Sequence, residues 1–147
     1  MIDSSHIGRE FGAHTADIEK GRLRFFAKAT GETNPIYFDE EAAKAAGHPA
    51  LPAPPTFLFS MDMEVSDPFE ILEIMDIDLE KILHGNQEFT YFKDVYAGDS
   101  ISFTSKVTDI FDKKGGALEF VVKKTSATNQ NGDVVAEMTR TIVVRNG

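Results

Sequence analysis

The stretch Leu51-Pro52-Ala53-Pro54-Pro55-Thr56-Phe57-Leu58-Phe59-Ser60-Met61-Asp62-Met63 decides the fold. Its proline-rich start is extended and stiff. A helix is expected to open at Pro54 or Pro55, where a missing N–H costs nothing. Phe57, Leu58, Phe59, Met61 and Met63 then make that helix apolar nearly all round. Such a helix has no face to offer water and is buried. The rest of the chain must therefore wrap it.

Downstream, the wrapping is legible as strands. From Gly85 the period changes to two: Gln87, Phe89 and Tyr91 alternate with Asn86, Glu88 and Thr90. Ile101, Phe103, Ser105 and Val107 alternate with polar neighbours, and Leu118, Phe120, Val122 and the run Val134 to Val144 follow. The breaks are Ala97-Gly98-Asp99, Lys114-Gly115-Gly116 and Asn131-Gly132. Asn-Gly between two strand patterns is a hairpin signal. These four strands are expected to form an antiparallel meander.

Upstream, residues 9–15 suit a short strand, with Phe11 and Ala13 alternating with polar neighbours. Residues 17–29 predict a helix with Asp17 and Glu19 in its first turn, where the dipole favours acids. Its apolar face is Leu23, Phe26, Ala27 and Thr30, and Gly31 stops it. Asp39 suits the cap of a short helix, Glu40 to Ala46, ended by Gly47. Ser66-Asp67-Pro68 opens a further short helix, and residues 78–83 suit one more turn. A sheet of about five antiparallel strands around one apolar helix is an α+β layout. It is the arrangement called the hot-dog fold.

Composition bounds the function. The 147 residues suit a single domain, 1–147, with one core. Acidic side chains number 24 against 15 basic ones, a net charge of −9. Binding to nucleic acid rests on neutralising phosphates with Lys and Arg, so nucleic acid is not an expected partner. No apolar run reaches the roughly 18 residues of a membrane span, so no membrane is expected. Met1-Ile2-Asp3-Ser4-Ser5 lacks the basic and apolar parts of a secretion signal. No cysteine occurs, which excludes disulfides, thiolate catalysis and Cys-based zinc sites. A cytoplasmic protein is expected. Four scattered histidines without an H-x-x-x-H spacing point to no metal, and no phosphate-binding glycine loop occurs, so no cofactor is expected.

Phe26-Ala27-Lys28-Ala29-Thr30-Gly31-Glu32-Thr33-Asn34-Pro35-Ile36-Tyr37 resembles the hydratase segment of MaoC-like dehydratases, roughly aromatic-x-x-x-[ST]-G-D-x-N-P-[LIV]-H. Ala45 to Phe57 resembles the run into that family's central helix. Leu83-His84-Gly85-Asn86-Gln87-Glu88-Phe89 with Ala97-Gly98-Asp99 is similar to the first meander strand of the N-terminal, FAS1-like subfamily. The resemblance covers roughly residues 9–145. It implies a hot-dog fold acting on a 3-hydroxyacyl or 2-enoyl thioester of CoA or acyl carrier protein. Two positions depart from the pattern. Glu32 stands where the resemblance implies a catalytic Asp, and Tyr37 where it implies a catalytic His. The resemblance also implies assemblies in which one half lacks the catalytic pair and the other carries the chemistry.

Hydrating a 2-enoyl thioester requires one group to take a proton from water and one to protonate carbon, with a third element holding the enolate charge. Groups with pKa values near the operating pH serve best. Glu32 is a candidate carboxylate base, since burial raises a carboxyl pKa; the alternative is a solvated turn residue. Tyr37, with a reference pKa of about 10, suits orienting water or ligand; the alternative is packing beside Phe38. Asn34 shapes the loop through its side chain and lies in the same candidate substrate site. Thr56 and Phe57 carry the first backbone donors after the two prolines and suit an oxyanion; otherwise Thr56 caps the helix. His84 and Gln87 are further substrate-binding candidates, weighed against a role in satisfying buried backbone groups.

Three further expectations follow. A hot-dog subunit associates, as a homodimer or as a heterodimer with a second MaoC-like subunit, because one sheet around one helix leaves apolar area uncovered. A thioesterase using Asp62 or Glu64 ranks behind the hydratase and behind a non-catalytic acyl-binding subunit. Lys113 and Lys114 at one turn, with Lys106, Lys123 and Lys124 on neighbouring strands, are candidates for a local phosphate anchor on an acidic chain; the plainer alternative is a solvated sheet face.

Overall fold

A computed structural model describes residues 1–147. Five strands form one antiparallel sheet: β1 (Glu10–Asp17), β2 (Ile82–Tyr91), β3 (Ser100–Lys113), β4 (Leu118–Thr128) and β5 (Val134–Arg145). The helices are α1 (Lys20–Ala29), α2 (Glu40–Ala45), α3 (Phe57–Asp62) and α4 (Glu70–Ile74), with single 3-10 turns at Ser4–His6, Pro35–Tyr37 and Leu79–Lys81.

The strand patterns sort the side chains as the alternation requires. On β3, Ile101, Phe103, Ser105 and Val107 are buried while Ser102, Thr104 and Lys106 are exposed. The buried set faces α3. Phe57, Leu58 and Met61 of α3 pack with Leu23 of α1 and with Ile101, Phe103, Ala127, Ala136 and Met138 of the sheet. A second cluster seats Ile71, Leu72 and Met75 on Val107, Val121 and Ile142. The apolar helix is thus wrapped on one side by the sheet and on the other by α1 and α2.

The expected four-strand meander is corrected. The strand order is β1-β3-β4-β5-β2, so only β3, β4 and β5 meander, and β2 crosses to the far edge beside β5. The cause lies in the 92–99 link, whose backbone bonds elsewhere than to β2. Ala53 donates to Val95 O, Ala97 to Leu51 O, Gly98 to Ile18 O, and Ile18 to Asp99 O, at 2.7–2.9 Å.

Some boundaries also differ. Asp17 pairs with Ser100 in the ladder and Glu19 precedes the first turn, so α1 starts at Lys20 with no acid in its first turn. The central helix starts at Phe57, because Thr56 turns through the left-handed region at φ 71°. Ile82 and Leu83 belong to β2, and the expected turn before them is a 3-10 turn capped by Asp78. Asp39 caps α2 through the Glu41 N–H at 2.9 Å, as its sequence position implies.

One irregularity positions a candidate residue. The β2–β5 register shifts between His84 and Asn86. A strict period of two would send His84 and Gln87 to opposite faces. The bulge at Gly85 instead sets His84 opposite Ile142 and Gln87 opposite Arg140, both on the face towards α3.

Candidate active site

The segment from Gly31 to Tyr37 is built by local bonds. Gly31 leaves α1 at φ 77°, and Glu32 N–H donates to Ala27 O at 2.9 Å. Asn34 Oδ1 accepts from Ile36 N–H at 3.2 Å and caps the Pro35–Tyr37 turn. That turn delivers Tyr37 to a cleft of about 230 Å³ between the run into α3 and the end of β2. Its walls include Ile36, Pro54, Leu58, Tyr91 and Asp94. Burial, then the charges of Glu32 and Asp94, push the Tyr37 hydroxyl pKa above its ordinary 10.0. At neutral pH Tyr37 therefore keeps its proton and serves as a hydrogen-bond donor. Glu32, the candidate base, is half-buried and does not line this cleft, and Asn34 is exposed with its side-chain oxygen engaged in the turn.

The start of α3 differs from the expected oxyanion site. Thr56 N–H already donates to Tyr91 Oη at 2.9 Å. Phe57 N–H donates to Pro54 O at 3.2 Å. The Thr56 hydroxyl makes no capping bond. The reason is the left-handed turn at Thr56 together with Tyr91, which in sequence is only one more aromatic of the β2 alternation. Tyr91 also stacks on Phe89 at 5.8 Å.

His84 and Gln87 stand apart from Tyr37. His84 stacks on Phe59 of α3 at 5.8 Å and lines a second recess, of about 210 Å³, with Met63, Phe69 and Arg140. Gln87 Nε2 donates to Glu88 O at 3.3 Å, while its Oε1 is buried without a partner.

The remaining charged candidates are mostly paired. Asp62, 7% exposed, meets Lys123 Nζ at 3.5 Å, and Glu64 pairs with Arg22. Lys123 points inward beneath α3, whereas Lys124 pairs with Glu137 at 2.7 Å. Lys113 lies over the Phe111 and Phe120 rings at 5.8 and 5.2 Å. Lys106 and Lys124 are cross-strand partners beside one recess, but Lys123, turned to the buried Asp62, does not share it, so the five lysines do not form one patch.

His48 is one of the four scattered histidines of the sequence. It lines the same cleft as Tyr37. Its Nδ1 lies 3.2 Å from Tyr96 Oη, and Tyr96 Oη donates to Asp94 Oδ2 at 3.2 Å. No local spacing announces this contact, because the partners lie 48 positions apart in the chain.

An antiparallel five-stranded sheet around a short apolar helix, with the 31–37 segment beside that helix, defines a hot-dog domain of the dehydratase type. The chain belongs to the FAS1-like, dehydratase domain region family, whose profile matches residues 5–138. The MaoC-like resemblance read from the motifs therefore holds. A UPF0336 protein of Streptomyces coelicolor is 40% identical over 121 residues, covering 80% of this chain and 79% of that one. Among solved structures, a chain of the HadBC (3R-hydroxyacyl-ACP dehydratase) complex from Mycobacterium tuberculosis is 28% identical, with a TM-score of 0.77 over 91% of this chain and 92% of that chain. A chain of the ChsH1-ChsH2 complex from the same organism is 25% identical, with a TM-score of 0.76 over 93% and 89%. No helix of the protein is long and apolar enough to cross a membrane.

Proposed function

We propose that this chain is a hydratase or dehydratase domain for 3-hydroxyacyl and 2-enoyl thioesters of CoA or acyl carrier protein. We further propose that it works beside a second hot-dog subunit. The observation that carries the reading is the delivery of the family segment's Tyr37 to the cleft at the start of α3. Tyr37, held protonated, donates to the thioester oxygen as enolate charge develops there. Donors aimed at developing charge are worth most in a cleft that excludes water. Glu32 is a positioning residue that acts through Tyr37, its charge helping to keep the phenolic proton in place. Two features support a partner. The similar solved chains come from complexes with two named components, and β1 and β2 are both sheet edges.

A second reading is a non-catalytic acyl-binding subunit. It is favoured by Tyr37 standing at the position of an imidazole and by the occupied N–H groups of Thr56 and Phe57.

Hydration of crotonyl-CoA separates the readings, with the chain alone and mixed with any MaoC-like protein encoded next to its gene. The first reading expects turnover that Glu32→Ala lowers by roughly tenfold or more. Because Glu32 raises the Tyr37 pKa, its removal also moves the alkaline loss of activity to lower pH. Turnover that appears only with the partner and ignores Glu32→Ala supports the second reading.

A further inference from the structure

We propose that His48 is the general base of this cleft, held in its reactive tautomer by Tyr96 and Asp94. The proposal rests on the hydratase reading above and names the group that reading still lacks. Tyr37 occupies the imidazole position of the segment and is a donor, and Glu32, the segment's carboxylate, does not line the cleft, so the segment brings no proton acceptor into it.

The hydrogen bonds decide which nitrogen of His48 is free. A carboxylate only accepts. Tyr96 has one hydroxyl proton and gives it to Asp94 Oδ2 at 3.2 Å. The Tyr96 oxygen facing His48 Nδ1, at 3.2 Å, can then only accept, so Nδ1 carries the ring proton. That leaves the lone pair on Nε2, which has no protein partner. A base oriented by a second group, itself fixed by a carboxylate, is the general arrangement for proton transfer in nucleophilic and hydrolytic sites. Burial, Asp94 and Asp99 push the Tyr96 pKa up, which keeps its proton in place.

The relay is rigid. Tyr96 N–H donates to Asp99 Oδ2 at 2.8 Å, and Gln130 Nε2 donates to Asp99 Oδ1 at 2.9 Å. His48 N–H donates to Ala43 O at 3.0 Å, at the end of α2. Tyr37, Tyr91, Lys93 and Asp94 face the cleft with His48, and the Lys93 ammonium is paired with Asp133 at 2.8 Å. His48 is therefore the one imidazole of the cleft.

The step balances without a further reagent. His48 Nε2 takes a proton from water while the water oxygen bonds to C3 of the 2-enoyl thioester. The C2=C3 pair moves onto the thioester carbonyl as an enolate, facing the Tyr37 hydroxyl. The imidazolium returns its proton to C2 as the enolate collapses. The product is the 3-hydroxyacyl thioester, and His48 is neutral again. Dehydration is the reverse.

Two measurements test this. His48→Gln should lower kcat/KM for crotonyl-CoA hydration by about 10²–10⁴-fold, the usual contribution of a positioned general base, with an unchanged circular dichroism spectrum and melting temperature. Tyr96→Phe, a change at a positioning residue, should lower kcat with little change in KM. Nitrogen-15 NMR of the wild type should find His48 protonated at Nδ1, and Tyr96→Phe should mix the tautomers. Wild-type turnover with His48→Gln within threefold of it would overturn the proposal and leave the hydratase reading standing. An Nε2-protonated His48 would also overturn it, whatever the activity. Absence of turnover in the wild type, alone and with its partner, would overturn the hydratase reading and the base with it.

Discussion

Asp62 carries more of the interior than its place on a buried helix suggests. Its carboxylate pairs with Lys123, and Arg140 lies near enough for its charge to be felt. Burial pushes the Lys123 ammonium below its ordinary 10.5, opposed by Asp62. Arg140 reaches only Met63 Sδ, at 3.2 Å, and its Nε is buried without a partner. Removing one member of a buried ion pair strands the others, at a cost of about 3–5 kcal/mol. Asp62→Asn is therefore expected to destabilise the protein by that amount in urea unfolding. The double change Asp62→Leu, Lys123→Met should recover part of it. A loss below about 1 kcal/mol, as for an exposed pair, would show that water reaches the cluster. From its position on the central helix alone, Asp62 suits a carboxylate for thioesterase chemistry. A partner 61 positions away, on another element, leaves no trace in local spacing. The residue types were legible; their pairing was not.

Elements with their own capping chemistry were the readable ones. Asp39 before α2 and Asp67 and Asp78 before later turns each accept from an N–H two residues on, and a local bond needs only local sequence. The buried helix was readable because its composition has no polar face. The partner of β2 was not, because strand order is set by contacts distant in the chain. The bulge at Gly85 is the clearest case. A Cβ there would lie 2.5 Å from Val143 Cγ2 and 3.2 Å from Thr141 O, so the close approach of β5 requires glycine. Gly85→Ala is expected to cost about 1–3 kcal/mol by overpacking, read as a lower urea midpoint. His84 should also shift against Phe59. An unchanged midpoint would mean that the edge strand gives way freely at this point.

At the scale of the molecule, Glu119 joins both chain ends to the sheet. It is buried on β4 and accepts from Ile2 N–H and from Asn146 Nδ2. Burial pushes its carboxyl up, but those two donors and the N-terminal charge outweigh it and hold the pKa below 4.5. A carboxyl depressed by folding stabilises above its unfolded pKa, and the contribution fades as pH falls through the folded value. The urea midpoint of wild type should therefore exceed that of Glu119→Gln most at neutral pH, with the gap closing below pH 4.5. A gap that is constant with pH would remove the carboxylate from the explanation. The fold class and the 31–37 segment were legible in the sequence, since both rest on patterns written within one stretch of chain. The cleft was not, because its walls come from residues 36–37, 48, 52–55, 58, 91 and 93–95. The net charge of −9 is not offset by a single cluster of the candidate lysines, since Lys106 and Lys124 pair across β3 and β4 while Lys123 turns to the buried Asp62.

The central claim is hydration chemistry on a thioester, and one assay meets it directly. Crotonyl-CoA is incubated with the protein, alone and with any MaoC-like protein encoded next to its gene, while enoyl absorbance and free thiol are followed together. Loss of the enoyl signal and formation of 3-hydroxybutyryl-CoA are expected, with no thiol released. Thiol release, or no change in either combination, would contradict it.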